Sequence, residues 1–369
     1  MFHERHPRLI AQVRDGLPYG PGVRDALARL LDESVGGVLT PPAEDAPDRA
    51  EWLAWGEGLW GGPWGEAPFL WAESWFYRRL LGAVGWFGPG AWRGVDPFGP
   101  VKAAELAGAA VDEELSALGR LKEASRDDRR AALVSSALWG NQADLSFNLG
   151  SGGGEAGDVL ADDSAALWEV VDRAPEGCTV ALVADNAGRE LLPDLVLIDE
   201  LLARHRVVLH VKPRPYYVSD ATTADVLAAV GRLRSADKPE AAAVGRRLWD
   251  ALAGGTLTVR AHPFFCAPLP FHDMPSGLRD DFAGMALTIV KGDLNYRRLV
   301  GDLLWPPSTP FGAAAGWFPS PVAALRTLKS DVVTGVGAET VRRLDAGEAD
   351  WRTNGRHAVV QTAVPGRRG

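Results

Sequence analysis

The sequence predicts an α/β protein. It reads as a Rossmann-like, mostly parallel sheet with helices on both faces (α/β/α), preceded by a helical N-terminal domain. Three observations carry this. From about residue 165, short apolar runs alternate with amphipathic helical patterns, the order expected of strands joined by helical crossovers. Before about residue 135, apolar residues recur at helical spacing instead. No internal repeat appears. The expected organisation is a Trp-rich helical domain over 1–135, an α/β/α domain over 136–350 and a flexible tail over 351–369.

The elements follow in order. "GVRDALARLLDE" and "VDEELSALGRLKEA" are helices. Between them, "EWLAWGEGLWGGPWGEAPFLWAESWFYRRLLGAVGWFGPGAW" carries eight tryptophans. Its glycines and prolines divide it into short helices and turns, and its aromatics are expected to fill a core or a domain seam. The glycine run within 149–158 reads as an exposed loop specific to this chain. It fits neither GxGxxG nor GxxxxGK[ST]. Then "CTVALVAD" is a strand, "LLPDLVLIDELLARH" a helix, "RVVLHVK" a strand, "TADVLAAVGRLRS" a helix and "GTLTVRAH" a strand. "MALTIVKGD" is a strand, "NYRRLVGDLLW" a helix, and "VAALRTLKSDVVTGV" a helix running into a strand. Pro193 removes a backbone hydrogen bond, so regular helix is expected to start near Pro193, after a looser turn over 187–192.

Composition narrows the function. The net charge of −9 and the absence of a Lys/Arg stripe argue against a nucleic-acid partner. Two cysteines, Cys178 and Cys266, stand far apart, without a disulfide framework or zinc ribbon. The N-terminus has no secretory pattern, and no apolar run approaches the roughly 20 residues of a membrane span. A cytoplasmic protein without a membrane partner is expected.

In doubly wound folds, ligands bind beyond the carboxyl ends of the strands. Four successive strand ends here carry polar groups: Asp185-Asn186, then Ser219-Asp220, then "AHPFFCAP", then Lys291, Asp293, Asn295 and Arg297. Each alone has a plain alternative as a turn or a helix N-cap. Together, two Asp and one Asn would supply oxygen ligands for a hard or borderline cation such as Mn2+, Mg2+, Co2+ or Ni2+. Nearby Lys291, Arg297, Arg326 and Lys329 would neutralise a phosphoryl group. His262, Cys266 and His272 lack a zinc-site spacing and read as a loop lining the site.

The blocks "LWGNQADLS", "DNAGRELLPDLVLIDELL", "YYVSDAT", "KGDLNYRRLVGD" and "LRTLK", with "FLWAESWFYRRLL" and "DPFGPVK" upstream, resemble the metal-dependent damage-control phosphatases. The likeness is to the branch that also carries an acidic-residue methyltransferase-like label. It spans roughly residues 50–340. It implies that Asp185, Asn186 and Asp220 hold a divalent metal, with Asn141 and Asp144 near the site. It implies that Lys291, Asp293 and Asn295 contact phosphate or support that contact, as do Arg326 and Lys329 of an "RTxK" signature. Glu73 and Arg78 would close the pocket. Members of this branch hydrolyse phosphorylated sugars such as fructose 1-phosphate and related hexose phosphates.

The expected activity is phosphomonoester hydrolysis of a small phosphorylated substrate. The catalytic set is Asp185, Asp220, Asp293 and Lys291, and the nucleophile is either water or an Asp. Two rival readings exist. One is methyl transfer from S-adenosylmethionine to protein carboxylates, against which stands the lack of a glycine-rich loop after the first strand. The other is a non-catalytic sugar-phosphate or metal-binding module.

Overall fold

The computed structural model describes residues 2–140 and 157–366. The chain forms two compact units. One comprises Met1–Ala103, Arg214–Ser219 and Cys266–Leu269; the other comprises Ala104–Pro213, Asp220–Phe265 and Pro270–Gly369. The boundary expected at 135 therefore lies near residue 103.

The first unit is helical: α1 Phe2–Gly16, α2 Pro21–Gly36, α3 Arg49–Trp55, α4 Phe69–Ala83 and the start of α5 Gly99–Leu106. Its core is aromatic. Trp52, Trp64, Trp71 and Trp75 are all buried, and Trp52 meets Trp75 at 4.7 Å between ring centroids. The tryptophans thus serve packing, the large apolar burial for which such rings are suited. α4 is buried from Leu70 through Arg78.

The second unit holds the remaining helices and the sheet. Its elements are α6 Ala109–Glu123, α7 Arg126–Trp139, β1 Asp158–Asp162, α8 Ser164–Arg173, β2 Thr179–Val183, α9 Leu191–Leu202, β3 Arg206–His210, α10 Thr223–Arg234, α11 Pro239–Gly254, β4 Leu257–Arg260, α12 Ser276–Ala283, β5 Leu287–Lys291, α13 Asp293–Leu299, α14 Phe311–Ala315, β6 Val322–Thr327, α15 Ala338–Gly347 and β7 His357–Ala363. The strand order is β1-β7-β6-β5-β2-β3-β4. Every pairing is parallel except β6 with β7. All five residues of β5, and four of the five in β2, are buried. Such continuous apolar runs are what strands covered on both faces require.

Local signals explain the helix boundaries. Thr222 and Asp225 form a capping box at the start of α10. A 3-10 turn over Gly188–Glu190 leads into α9, so Pro193 is its third residue. An N–H there would have no partner within the helix, and the proline is tolerated. The expected late start of regular helix is thus observed, two residues before Pro193.

Two expectations need correction. Residues 322–327, expected as helix, form β6, a strand within the sheet. Ala323, Ala324 and Leu325 favour helices intrinsically, but all of them are buried between two strands, and packing overrides propensity. Residues 357–363, expected within a flexible tail, form β7, which is hydrogen-bonded on both sides.

β2 and β5 are neighbours. From β2 the chain proceeds to β3 and β4 on one side. From β5 it proceeds to β6 on the other. The strand order reverses between β2 and β5, and this switch point is where doubly wound sheets open a crevice.

Candidate metal and phosphate site

The register places the polar strand ends together. Val183 pairs with Val290 and with His210, so residue 185 lies level with Gly292 on one side and Lys212 on the other. Beyond β2 the backbone remains tied: Ala221 N–H donates to the Asp185 carbonyl at 2.9 Å. Asn186 bridges Asp220. Lys212 N–H donates to the Ala221 carbonyl at 2.8 Å. Asp185, Asn186 and Asp220, 35 positions apart at the extremes of the sequence, therefore share one place at the switch point.

Their electrostatics are unbalanced toward negative charge. Asp185 is pushed up to about 8. Loss of solvent is the largest cause, followed by the charges of Asp220 and Glu190, while Lys329 and Lys212 oppose the rise. A carboxyl whose charge is disfavoured by burial and by neighbouring carboxylates is a carboxyl that a cation would relieve. Lys212 supplies part of that relief, with Nζ 3.4 Å from Asp220 Oδ2 and bonded to the Phe265 carbonyl at 3.2 Å.

Asp185, Asn186 and Glu190 line a small pocket with Asp194, Lys291, Gly292, Thr327 and Lys329. Its volume is about 20 Å3, the room one ion or water needs. Volume and oxygen donors together fit a divalent cation. Among the described residues, no group of three or more His, Cys, Asp or Glu is arranged to hold a metal. The pocket is lined by the Asp185, Glu190 and Asp194 carboxylates and the Asn186 carboxamide, with Asp220 bridged to Asn186. A groove of about 520 Å3 between α6, α7, α9 and α11 is larger. However, most of its charges are paired, as Lys122–Glu240, Arg129–Glu200 and Arg247–Asp199, and it lies away from the strand ends.

The cations divide into two groups. Lys329 is exposed at the pocket. Lys291 lines the pocket too, but its ammonium binds Asp194 at 2.8 Å and the Ala137 carbonyl at the end of α7. Asp194 is buried, and loss of solvent raises its pKa against the pull of Lys291.

Arg326 has a different place from the one expected. It is fully buried and does not line the pocket, whereas its strand neighbours Leu325 and Thr327 do. Side chains alternate along a strand, so Arg326 projects to the other face. There its guanidinium holds Asp293 at 2.7 and 2.8 Å, the Ser330 hydroxyl at 2.8 Å and the Val332 carbonyl. It also stacks 4.3 Å over the Tyr296 ring. Asp293 accepts further bonds from Lys329 N–H at 3.2 Å and Ser330 Oγ at 3.1 Å. Arg326 and Asp293 thereby clamp the turn that carries Lys329.

Asn295 is likewise internal. Its amide donates to the Ala184 and Lys291 carbonyls at 3.0 and 2.9 Å, joining the ends of β2 and β5. Arg297 pairs with Asp302 at 2.6 Å. In the first unit, Glu73 is buried against His6 at 3.0 Å, and Arg78 forms a two-pronged pair with Asp48 at 2.6 and 2.7 Å. Both residues lie on α4 and are engaged within this unit. Asn141, Asp144 and most of the 149–158 glycine loop lie outside the described residues.

Sequence reasoning missed Glu190, Asp194, Lys212 and Thr327. Glu190 accepts a 2.8 Å bond from the Asn186 amide. The signal available for it was the spacing of four between Asn186 and Glu190 in "DNAGRE".

Comparison with known proteins places the chain in a family. Residues 1–344 match the family described as the damage-control phosphatase ARMT1-like domain. The chain is 30% identical to "Damage-control phosphatase ARMT1" of Danio rerio, over 89% of this chain and 82% of that protein. It is 30% identical to the Mus musculus protein of the same name, over 82% and 75% respectively. The Homo sapiens protein is 29% identical over 82% and 76%. A crystal structure of a DUF89 family protein from Pyrococcus horikoshii shares the fold, with a TM-score of 0.50 at 16% identity, covering 92% of this chain and 93% of that one.

Proposed function

The chain belongs to the damage-control phosphatase ARMT1-like domain family, and on that basis we propose that it is a divalent-metal-dependent phosphatase. Its substrates are phosphomonoesters, with sugar phosphates such as fructose 1-phosphate or related hexose phosphates as the class. The observation that carries this reading is the switch-point pocket. There Asp185, Asn186, Glu190 and Lys329 line a space of about 20 Å3, Asp220 is bridged to Asn186 beside it, and burial with neighbouring carboxylates raises Asp185 to about 8.

Asp185, Asn186 and Asp220 would hold the cation. When bound, a divalent cation supplies Lewis acidity, neutralising phosphoryl charge and making water more acidic. The side chains do the rest. Lys329, exposed beside the carboxylates, binds a phosphoryl oxygen and offsets the charge that builds as the ester bond breaks. Lys291 adds positive potential from below while Asp194 and the end of α7 hold it in place. Asp293 is occupied by Arg326, Ser330 and the Lys329 backbone, so it orients the Lys329 turn. Attack by water fits this arrangement better than attack by Asp293. Hydrolysis then breaks the ester P–O bond and yields inorganic phosphate and the free sugar hydroxyl.

The test is phosphate release from a sugar-phosphate panel with Mn2+, Co2+, Ni2+ or Mg2+. Activity that persists in EDTA, or in Asp185→Ala, overturns the metal reading. A panel without any turnover overturns the phosphatase reading.

A further inference from the structure

The carboxylates that line the pocket are Asp185, Glu190 and Asp194. Asp194 is already engaged, with Oδ1 2.8 Å from the Lys291 ammonium. Asp220 stands beside the pocket, bridged to Asn186 and close to Lys212. Asp185 and Glu190 are thus the lining carboxylates that form no ion pair among the described residues.

These two share an anchor. The Asn186 amide nitrogen lies 2.8 Å from Glu190 Oε2 and 3.2 Å from Asp185 Oδ2, so the two anchored oxygens are no farther apart than the sum of those distances. Each carboxylate has a second oxygen, Asp185 Oδ1 and Glu190 Oε1. Neither accepts a hydrogen bond among the described residues, and neither is sealed from solvent. An ionised carboxylate accepts through both oxygens, so one oxygen on each remains for a ligand. After burial and the charge of Asp220, the charge of Glu190 also disfavours ionised Asp185. Two carboxylates that repel each other at a pocket of about 20 Å3 are relieved together by one cation.

A second, independent feature brings Glu190 to the pocket. Gly140, at the end of α7, has φ +52°, and a β-carbon there would lie 2.9 Å from Glu190 Cγ and 3.3 Å from Cδ. The glycine supplies both a left-handed backbone and the space in which the Glu190 stem lies. A side chain larger than hydrogen at residue 140 would compete with Glu190 for its place.

We propose that Glu190 is a further ligand of the cation, binding it through Oε1 together with Asp185. This rests on the metal reading above, and the experiment separates the two. Crystals of the wild-type protein are soaked in Mn2+ alone, without substrate. Mn2+ should lie with an oxygen of Asp185 and an oxygen of Glu190 each within about 2.0–2.6 Å, the range for oxygen ligands of divalent cations. Calorimetry with Mn2+ supplies the second measurement. Glu190→Gln keeps the size of the side chain and removes its charge, and should bind Mn2+ more than about 100-fold more weakly than wild type. That exceeds the roughly 10–100-fold lost with a partner outside the coordination sphere. Thermal unfolding establishes that the variant is folded.

A wild type that takes up no Mn2+ in crystal or calorimeter overturns the metal reading, and this proposal with it. Mn2+ bound at Asp185 with both Glu190 oxygens beyond the coordination range overturns the proposal alone. So does a folded Glu190→Gln whose Mn2+ affinity falls by less than about 100-fold.

Discussion

The Asp185 carboxylate lies so close to Gly292 that a β-carbon on residue 292 would stand 1.9 Å from Oδ2 and 2.1 Å from Cγ. Gly292 also has φ +84°, a conformation that L side chains resist. The end of β5 must therefore be bare backbone so that the acidic end of β2 can rest against it. Gly292→Ala should displace Asp185, and phosphate release should fall by about 100-fold, the scale that a 1 Å misplacement of a reacting group costs. The check is kcat/KM together with the Mn2+ affinity. A variant that binds Mn2+ and turns over normally would show that the close approach is incidental.

The raised proton affinity of Asp185 gives a pH dependence of definite sign. In the unfolded chain its carboxyl ionises near the ordinary value of 3.8, and in the folded protein at about 8. Between these values the folded state binds the extra proton, so this group makes the metal-free protein less stable as pH rises from about 4 to about 8. A cation competes with that proton. Mn2+ affinity should rise about tenfold per pH unit below pH 8, for one displaced proton, and level off above it. Calorimetry in buffers of different ionisation enthalpy measures the proton directly. Asp185→Asn should abolish the proton release and raise the melting temperature of the metal-free protein at pH 8.

Arg326 and Lys329 belong to one sequence block but are expected to fail in different ways. Arg326→Ala removes the partner of Asp293 and leaves buried donors and acceptors unmet. Breaking such a buried pair costs about 3–5 kcal/mol, so the melting temperature should drop sharply. Lys would not rescue it, since an ammonium cannot reproduce the planar fork. Lys329→Ala should leave the melting temperature nearly unchanged and lower kcat by about 100- to 1000-fold, the range for removing one stabiliser of transition-state charge. Equal melting temperatures for the two variants would contradict this division.

These differences also show what was legible in the sequence. The convergence of Asp185, Asn186 and Asp220 was legible because polar residues punctuate the ends of apolar strands, and the parallel sheet brings those ends together. Arg326 could not be placed, because its orientation depends on a period of two. Residues 322–327 carry the Ala-Ala-Leu composition of a helix, and only pairing with β5 and β7 makes them a strand. β7 was hidden for a related reason: its partners β1 and β6 lie far from it in sequence. Glu190 was missed because a spacing of four normally marks neighbours on a regular helix. Here the two residues meet across an irregular turn permitted by Gly188, with φ +63°.

His210 sets an acid limit on the same sheet. It ends β3, is buried, and lies between the Phe265 and Phe282 rings at 5.4 and 5.1 Å. Burial, with a smaller push from Arg260, lowers its pKa to about 4. In the unfolded chain the imidazole charges near its ordinary value of 6.5, so a folded pKa below this makes protonation favour unfolding. Its contribution is fully present above about 6.5 and is lost as pH falls toward 4. The gap corresponds to about 3 kcal/mol at its fullest, opposite in slope to the contribution of Asp185. His210→Leu keeps the apolar contacts and removes the titration. Denaturant unfolding at pH 7 and pH 4.5 should therefore show a smaller acid loss in His210→Leu than in wild type. If the two lose stability equally between these pH values, some other group governs the acid limit.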